Sequence, residues 1–216
     1  RRRRDLVRRI VYASSAAVFG PEEYYEAATV PEGAPLEPGT HYGVFKQCNE
    51  GNARVYYMTE GISSVGLRPW AVYGVGRDVG VTSGPTKAIK AAVVGRDYTI
   101  RFSGGLDLQY VDDTAQIFLR CAESELPGAR IYTLRGTVTQ ISDFIAALER
   151  DSPRARGRIK AAGPALPIAY NLENSALIRD LGDVPHTPLA QGIRETREIF
   201  ERLCSAGTLT IEDLDS

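Results

Sequence analysis

The chain has 216 residues, of which 43% are hydrophobic and 25% charged, and its formal net charge is −1. This composition is typical of one sizeable globular domain, to which a small lobe could be appended. No apolar run approaches the roughly 20 residues of a membrane span, and no signal peptide is visible. Three cysteines without a short spacing predict neither a disulfide framework nor a metal site, so a cytoplasmic location fits best.

Like charges are concentrated at the two ends of the chain. The basic residues Arg1 to Arg4, Arg8 and Arg9 could form a nucleic-acid patch, but no aromatic platform or further basic stripe accompanies them. Cations suit a helix C-terminus, so we predict the solvated last turn of a helix, with no nucleic-acid partner. The acidic end, with Glu212, Asp213 and Asp215, is predicted to be a disordered tail.

The first half of the chain alternates between strand and helix patterns. We predict strands over 10–13 and 64–68, and helices over 41–60 and about 82–95. This β-α-β rhythm is typical of a parallel sheet. Strand 10–13 has the pattern of a central strand that is apolar on both faces, and it therefore needs a neighbour on each side.

The second half begins with short β segments and becomes mainly helical. The β segments are predicted over 98–102, 109–111 and 129–134, with a helix over 112–123. Further helices are predicted over 139–150, 174–181 and 188–203, and prolines separate them.

Tyr42 and Lys46 carry the strongest chemical signal in the sequence. Positions i and i+4 of a helix lie on one face, so the phenol and the ammonium point the same way. The positive charge favours the phenolate form that a general base needs. Ser15, at the end of the first strand, can hydrogen-bond the same substrate oxygen. Alone, a Tyr–Lys pair at this spacing is also what an ordinary surface helix would show.

The flanking segments make the pattern more specific. The first strand ends in Ser14–Ser15, Pro38-Gly39-Thr40 opens the helix, the run 64–77 is rich in β formers, and Gln109-Tyr110-Val111-Asp112-Asp113 opens a later helix. Together they resemble the extended short-chain dehydrogenase/reductases, the NAD-dependent epimerase/dehydratase group, from about Ile10 to Leu203.

The resemblance implies an α/β fold: the C-terminal portion of a Rossmann-type doubly wound parallel sheet with a small mixed α/β substrate lobe. On this basis we expect the back half of the NAD(P)-binding domain over 1–95, mainly the substrate lobe over 96–205 and a tail over 206–216. The glycine-rich unit that opens such enzymes has no counterpart before Ile10. We therefore interpret the sequence as a fragment that is inactive and poorly soluble by itself.

A second glycine pattern, between Gly74 and Gly80, follows a strand but is not immediately followed by a helical pattern. We interpret it as a substrate-side loop and not as a second nucleotide site.

The resemblance also assigns roles to individual residues. Tyr42 is the general acid/base, Lys46 binds the cofactor ribose, and Ser15 orients the reacting hydroxyl or carbonyl. The cofactor, NAD or NADP, carries the hydride. The implied cofactor-binding residues are Ser14, Tyr42, Lys46, Pro69 and Val72, and the implied substrate-binding residues are Ser15, Ala16, Arg77 and Thr82. Helix 41–60 commonly pairs across a homodimer in this family.

Departures from the family pattern bear on the substrate. Enzymes of nucleotide sugars commonly have Arg where this chain has Leu106, and another near Ala161–Gly163, because a guanidinium pairs with a diphosphate. Dehydratases often have an acid/base pair where this chain has Ala16–Ala17. We therefore favour an oxidoreductase or epimerase acting on a smaller polyol, sugar acid or other secondary alcohol. A nucleotide-sugar 4-epimerase and a catalytically silent binding protein remain the alternatives.

Overall fold

The computed structural model describes residues 6–215, so Arg1–Arg4 of the predicted basic helical turn lie outside the described residues. The part of that turn at Arg8 and Arg9 is wrong, since Arg8 lies in a bend and Arg9 begins the first strand. The strands are β1 (Arg9–Ala13), β2 (Ser63–Arg68), β3 (Ala71–Tyr73), β4 (Tyr98–Ile100), β5 (Gly105–Tyr110), β6 (Ala129–Thr133), β7 (Thr137–Gln140) and β8 (Ile159–Ala161). The helices are α1 (His41–Glu60), α2 (Gly84–Val94), α3 (Val111–Glu123), α4 (Ile141–Asp151), α5 (Ser175–Leu181) and α6 (Leu189–Ser205). Within residues 6–215, no helix is long and apolar enough to cross a membrane.

The chain divides into two compact units that interleave along the sequence. Unit 1 contains residues 1–70, 113–135 and 167–185, and unit 2 contains residues 71–112, 136–166 and 186–216. The predicted domains, 1–95 and 96–205, are contiguous and do not coincide with these units. The difference arises because segments far apart in sequence pair within one sheet.

Unit 1 is built on a parallel sheet with strand order β1–β2–β6. Val11 lies opposite Val65, and Val65 lies opposite Arg130. Val65 and Leu67 of β2 pack in a buried cluster with Ile117 and Cys121 of α3, Tyr132 of β6, Leu134 directly after β6, and Leu177 of α5. This arrangement confirms the predicted parallel α/β architecture. Among the described residues β1 pairs with β2 alone, and its Ile10 side chain is 48% exposed.

Unit 2 contains two smaller sheets. In one, β5 lies between β3, which is parallel to it, and β7, which is antiparallel; in the other, β4 and β8 are parallel. Strands β3, β7 and β8 were not predicted. The helix predicted over 139–150 begins at Ile141 because Thr137–Gln140 pairs with β5, as suits its β-branched residues.

The acidic tail requires a correction, because its last residues are ordered and not disordered as predicted. Glu212–Asp215 forms a short 3-10 turn, and Leu214 is buried. Asp213 accepts hydrogen bonds from the Lys90 ammonium at 2.9 Å, and Asp215 accepts one from Arg96 at 2.5 Å. Asp213 and Asp215 are therefore the ion-pair partners of Lys90 in α2 and of Arg96, which lies two residues after that helix.

Candidate active site

The start of α1 presents the predicted Tyr–Lys pair. Thr40 caps the helix, since its hydroxyl accepts a hydrogen bond from the Gly43 amide at 3.0 Å. Lys46 Nζ lies 5.4 Å from the centre of the Tyr42 ring, as the i,i+4 spacing predicts. The Tyr42 side chain is 55% exposed, so its phenol is open to a ligand.

Lys46 also connects α1 to the carboxyl end of β1. Its ammonium donates a hydrogen bond to the Ala13 carbonyl at 2.8 Å, two residues before Ser15. Ser15 caps a short 3-10 turn, Ala16–Val18, because its hydroxyl accepts a hydrogen bond from the Ala17 amide at 3.1 Å. The described contacts thus bring Lys46 to the strand end that carries Ser15, although they join neither Tyr42 nor Lys46 directly to Ser15.

The carboxyl ends of β1 and β2 are linked as well. The Ala16 amide donates to the Pro69 carbonyl at 2.9 Å, so the predicted cofactor residue Pro69 lies beside the turn that follows Ser15. Carboxyl ends of parallel strands are where open α/β sheets bind ligands. Ala16 itself is 1% exposed, which leaves its side chain little surface for a substrate.

Ser14 is also buried, and its hydroxyl donates to Glu50 Oε1 at 2.5 Å. Glu50 in turn receives two hydrogen bonds from Arg68, from Nε at 2.8 Å and from Nη2 at 2.7 Å. The sequence analysis missed this cluster. The available signal was the position of Glu50, four residues after Lys46 on the same face of α1.

The remaining predicted residues, Val72, Arg77 and Thr82, belong to unit 2. Val72 is the central residue of β3 and lies opposite Gln109 of β5. Arg77 donates to the Val79 carbonyl at 2.5 Å and to the Thr82 hydroxyl at 3.1 Å. The two predicted substrate residues of the loop after β3 are therefore hydrogen-bonded to each other.

That loop also contains the second glycine pattern. Gly74, Gly76 and Gly80 all have positive φ, and α2 begins only at Gly84, after a 3-10 turn over Val81–Ser83. The glycines shape a loop and do not open the helix directly, as predicted.

A cleft of about 330 Å³ in unit 2 adjoins the same loop. Its lining includes Val79, Val81, Ser83, Lys87, Tyr98 and Arg101. The Lys87 side chain is buried and that of Arg101 is exposed, so two cations border one small volume. The sequence did not predict this cleft, because Lys87 lies in α2 and Arg101 directly follows β4. The exposed Arg101 guanidinium suits an anionic ligand.

The chain departs from a diphosphate-binding pattern at Leu106 and near Gly163, and neither position has room for a ligand-binding cation. Leu106 of β5 is fully buried, with 0% of its surface exposed. After β8, a Cβ on Gly163 would lie 2.6 Å from the Arg101 carbonyl oxygen. The backbone at Gly163 therefore passes close to the backbone at Arg101. Neither position offers a cation.

The chain can be compared with known proteins. The model of the NAD dependent epimerase/dehydratase family matches residues 2–134, which include Ser15, Tyr42 and Lys46. A UDP-glucose 4-epimerase of Mycolicibacterium smegmatis is 25% identical over 208 residues. The match covers 90% of this chain and 63% of that protein, so the chain spans less than two thirds of its relative's length.

Solved structures that share the fold include the following two. A partial-consensus L-threonine 3-dehydrogenase has a TM-score of 0.78 and 21% identity, and the match covers 90% of this chain and 65% of the other. A UDP-glucuronic acid 4-epimerase of Bacillus cereus, in complex with UDP-glucuronic acid and NAD, has a TM-score of 0.75 and 21% identity, with 90% and 62% covered. These likenesses confirm the Rossmann-like fold that the sequence predicts. With the family model matching more than half of its residues, the chain belongs to the NAD dependent epimerase/dehydratase family.

Proposed function

We propose that this chain supplies the acid/base and substrate-side parts of an NAD(P)-dependent oxidoreductase or epimerase. The reaction is hydride transfer at a secondary alcohol or ketone of a sugar-like substrate. The observation that carries the proposal is the placement of Lys46: its ammonium lies over the Tyr42 ring and is bonded to the strand end that precedes Ser15.

The residues at this strand end fit a nicotinamide cofactor. A lysine ammonium has three donors, and that of Lys46 gives one to the Ala13 carbonyl, which leaves donors for ribose hydroxyls. A bound nicotinamide would supply the hydride acceptor. Tyr42 then removes the proton from the reacting hydroxyl, while Ser15 holds that oxygen in place. In that step Tyr42 passes from phenolate to neutral phenol, and the positive charge of Lys46 beside the ring favours the phenolate from which it starts.

The substrate class follows from the charges of unit 2. The resemblance expects a diphosphate-binding Arg at position 106, but the buried Leu106 cannot pair with phosphate. The cleft of unit 2 is lined instead by the exposed cation Arg101. We infer a small anionic substrate, a sugar acid, in preference to a nucleotide-linked sugar.

The cofactor site can be tested with the product of the complete open reading frame. We expect Lys46→Met to weaken NAD⁺ binding about 10- to 100-fold, because charge-assisted hydrogen bonds to the ribose are lost. Arg54→Met is the matched control, since Arg54 is an exposed cation two turns further along the same helix. Isothermal titration with NAD⁺ and NADP⁺ measures both variants. Equal affinity for Lys46→Met and wild type would contradict the assignment.

The alternative, a nucleotide-sugar 4-epimerase, is favoured by the likeness to the UDP-glucose 4-epimerase. Assays with D-glucuronate, L-threonine, UDP-glucose and UDP-glucuronate discriminate the two. A dehydrogenase reduces NAD⁺ in proportion to the acid consumed, whereas an epimerase interconverts the UDP-sugars without net NADH. Turnover of UDP-sugars alone would overturn the sugar-acid assignment.

A further inference from the structure

A buried carboxylate lies behind the proposed catalytic residues. The Glu50 side chain is 5% exposed and forms a two-pronged ion pair with Arg68, whose side chain is 7% exposed. A third hydrogen bond comes from Ser14 at 2.5 Å. The Arg68 guanidinium also lies 5.0 Å from the centre of the Phe19 ring. Since a buried ion pair contributes little net stability compared with apolar residues of similar size, its presence here suggests another role.

The position of Glu50 on α1 links it to the catalytic face. Each helical residue turns the chain by about 100°, so Tyr42, Lys46 and Glu50 lie within about 80° around the axis. All twenty residues of α1 are described, and only Gly43 and Glu50 among them are buried. The ion pair therefore fixes the rotation of a helix that is otherwise mostly exposed, and the same rotation sets the direction of Tyr42.

The hydrogen bond from Ser14 to Glu50 also connects α1 to the end of β1. Ser14 is 1% exposed and directly precedes Ser15, while Arg68 is the last residue of β2. One carboxylate thus contacts the end of β1, the end of β2 and the buried side of α1. Its geometry is directional, because each Glu50 oxygen accepts hydrogen bonds from fixed donors.

We infer that Glu50 is a positioning residue, which with Arg68 and Ser14 holds the α1 pair Tyr42–Lys46 in register with Ser15. The inference rests on the proposed function of those three residues. Glu50 itself touches neither the substrate nor the cofactor in this role. It acts by fixing the helix and the strand end that carry the reacting side chains.

Two variants of the full reading-frame product separate positioning from stability. The double variant Glu50→Leu/Arg68→Met replaces the ion pair with apolar side chains of similar volume, which is often neutral or stabilising. Ser14→Ala removes the third hydrogen bond and leaves the Glu50–Arg68 pair intact. We expect the double variant to melt at or above the wild-type temperature.

Activity and geometry are then measured on the same proteins, with NAD⁺ and the most active substrate of the assay series. We expect kcat to fall about 100-fold in the double variant and about tenfold in Ser14→Ala, with KM little changed, because a displacement of about 1 Å is enough for such losses. A crystal structure of the double variant should show the Tyr42 phenol oxygen moved by about 1 Å or more relative to Ser15 Oγ.

A stable double variant with wild-type kcat, or with Tyr42 unmoved, would overturn the positioning role. If the double variant does not fold, Ser14→Ala decides, and an unchanged kcat there overturns the role as well. Tyr42→Phe in the same assay separates this failure from failure of the proposed function. A loss of turnover in Tyr42→Phe together with full activity in the positioning variants refutes the positioning role alone.

Discussion

At the scale of single residues, Gly43 decides how closely α1 approaches the turn that follows β1. A Cβ at this position would lie 2.0 Å from the Ala17 carbonyl oxygen and 2.8 Å from the Pro38 Cβ. Only a residue without a side chain allows this contact between α1 and the turn after Ser15. The glycine between Tyr42 and Val44 is therefore a packing requirement of the site.

We expect Gly43→Ala to lower the free energy of unfolding by about 1–3 kcal/mol, the usual cost of overpacking, and to displace the start of α1. Gly51→Ala is the control in the same helix, because a Cβ there meets nothing within 4 Å. That change should stabilise the protein by about 0.5–1 kcal/mol, since alanine restricts the unfolded chain more than glycine. Urea denaturation followed by circular dichroism measures both. A neutral Gly43→Ala would show that the helix is free to move away.

Residue-scale patterns are predictable where they are local. The Tyr42–Lys46 pair and its Thr40 cap follow from spacing within a single helix. The Glu50–Arg68 pair joins residues 18 positions apart, on a helix and a strand, and Ser14 comes from a third segment. A periodic sequence pattern cannot predict these contacts, because they depend on how α1, β1 and β2 pack together.

At the scale of elements, the buried ammonium of Lys90 joins α2 to two other segments of unit 2. It is 3% exposed and bonds Asp78 of the glycine loop at 2.8 Å and Asp213 of the C-terminal turn at 2.9 Å. Burial acts to lower the pKa of Lys90, but hydrogen bonds and charge from the two carboxylates outweigh it and raise the pKa.

We expect Lys90→Met to lower the free energy of unfolding by about 3 kcal/mol at neutral pH, because it removes the buried cation that Asp78 and Asp213 share. Arg96→Met is the matched control, since Arg96 pairs with Asp215 of the same turn on the exposed surface, and it should have no measurable effect.

The sign of the pH dependence follows from the raised pKa of Lys90. Its contribution is complete below the ordinary lysine value near 10.5 and is lost only as pH rises through the higher folded value. Thermal melts of wild type and Lys90→Met should therefore converge in strong alkali. A constant difference through that range would contradict the ion-pair account.

Secondary-structure elements were predicted correctly where the sequence pattern extends over many residues. Helix α1 matches its predicted range, 41–60, because its cap and C-terminal Gly61 are both readable in the sequence. Strands β3 and β8 have three residues each, too few for an alternating pattern to emerge. The ordered acidic turn was missed for another reason: its partners Lys90 and Arg96 are more than a hundred residues away.

At the scale of the whole molecule, α1 leaves a large apolar surface exposed in unit 1. The exposed fractions are 67% for Phe45, 50% for Val55, 53% for Tyr56 and 75% for Met58. Exposed apolar patches of this kind commonly mark interfaces. We propose that this surface pairs two copies of the chain, the homodimer that the family resemblance implies.

Sedimentation velocity tests the dimer. We expect Phe45→Lys to raise the dimer dissociation constant about tenfold or more, because a charge would be buried in the interface. Leu119→Lys is the control, since Leu119 is a comparably exposed residue, at 62%, on α3. A monomeric wild type, or equal dissociation constants for the two variants, would rule out pairing through α1.

The central claim is that Tyr42 is the acid/base of a hydride-transfer reaction, and single-turnover kinetics of Tyr42→Phe test it most directly. The variant keeps the ring beneath Lys46 but removes the proton-carrying oxygen. We predict that the rate of NAD⁺ reduction falls about 10²- to 10⁴-fold at saturating NAD⁺. Tyr56→Phe, an exposed tyrosine of the same helix, should leave the rate unchanged. Undiminished turnover in Tyr42→Phe would contradict the assignment.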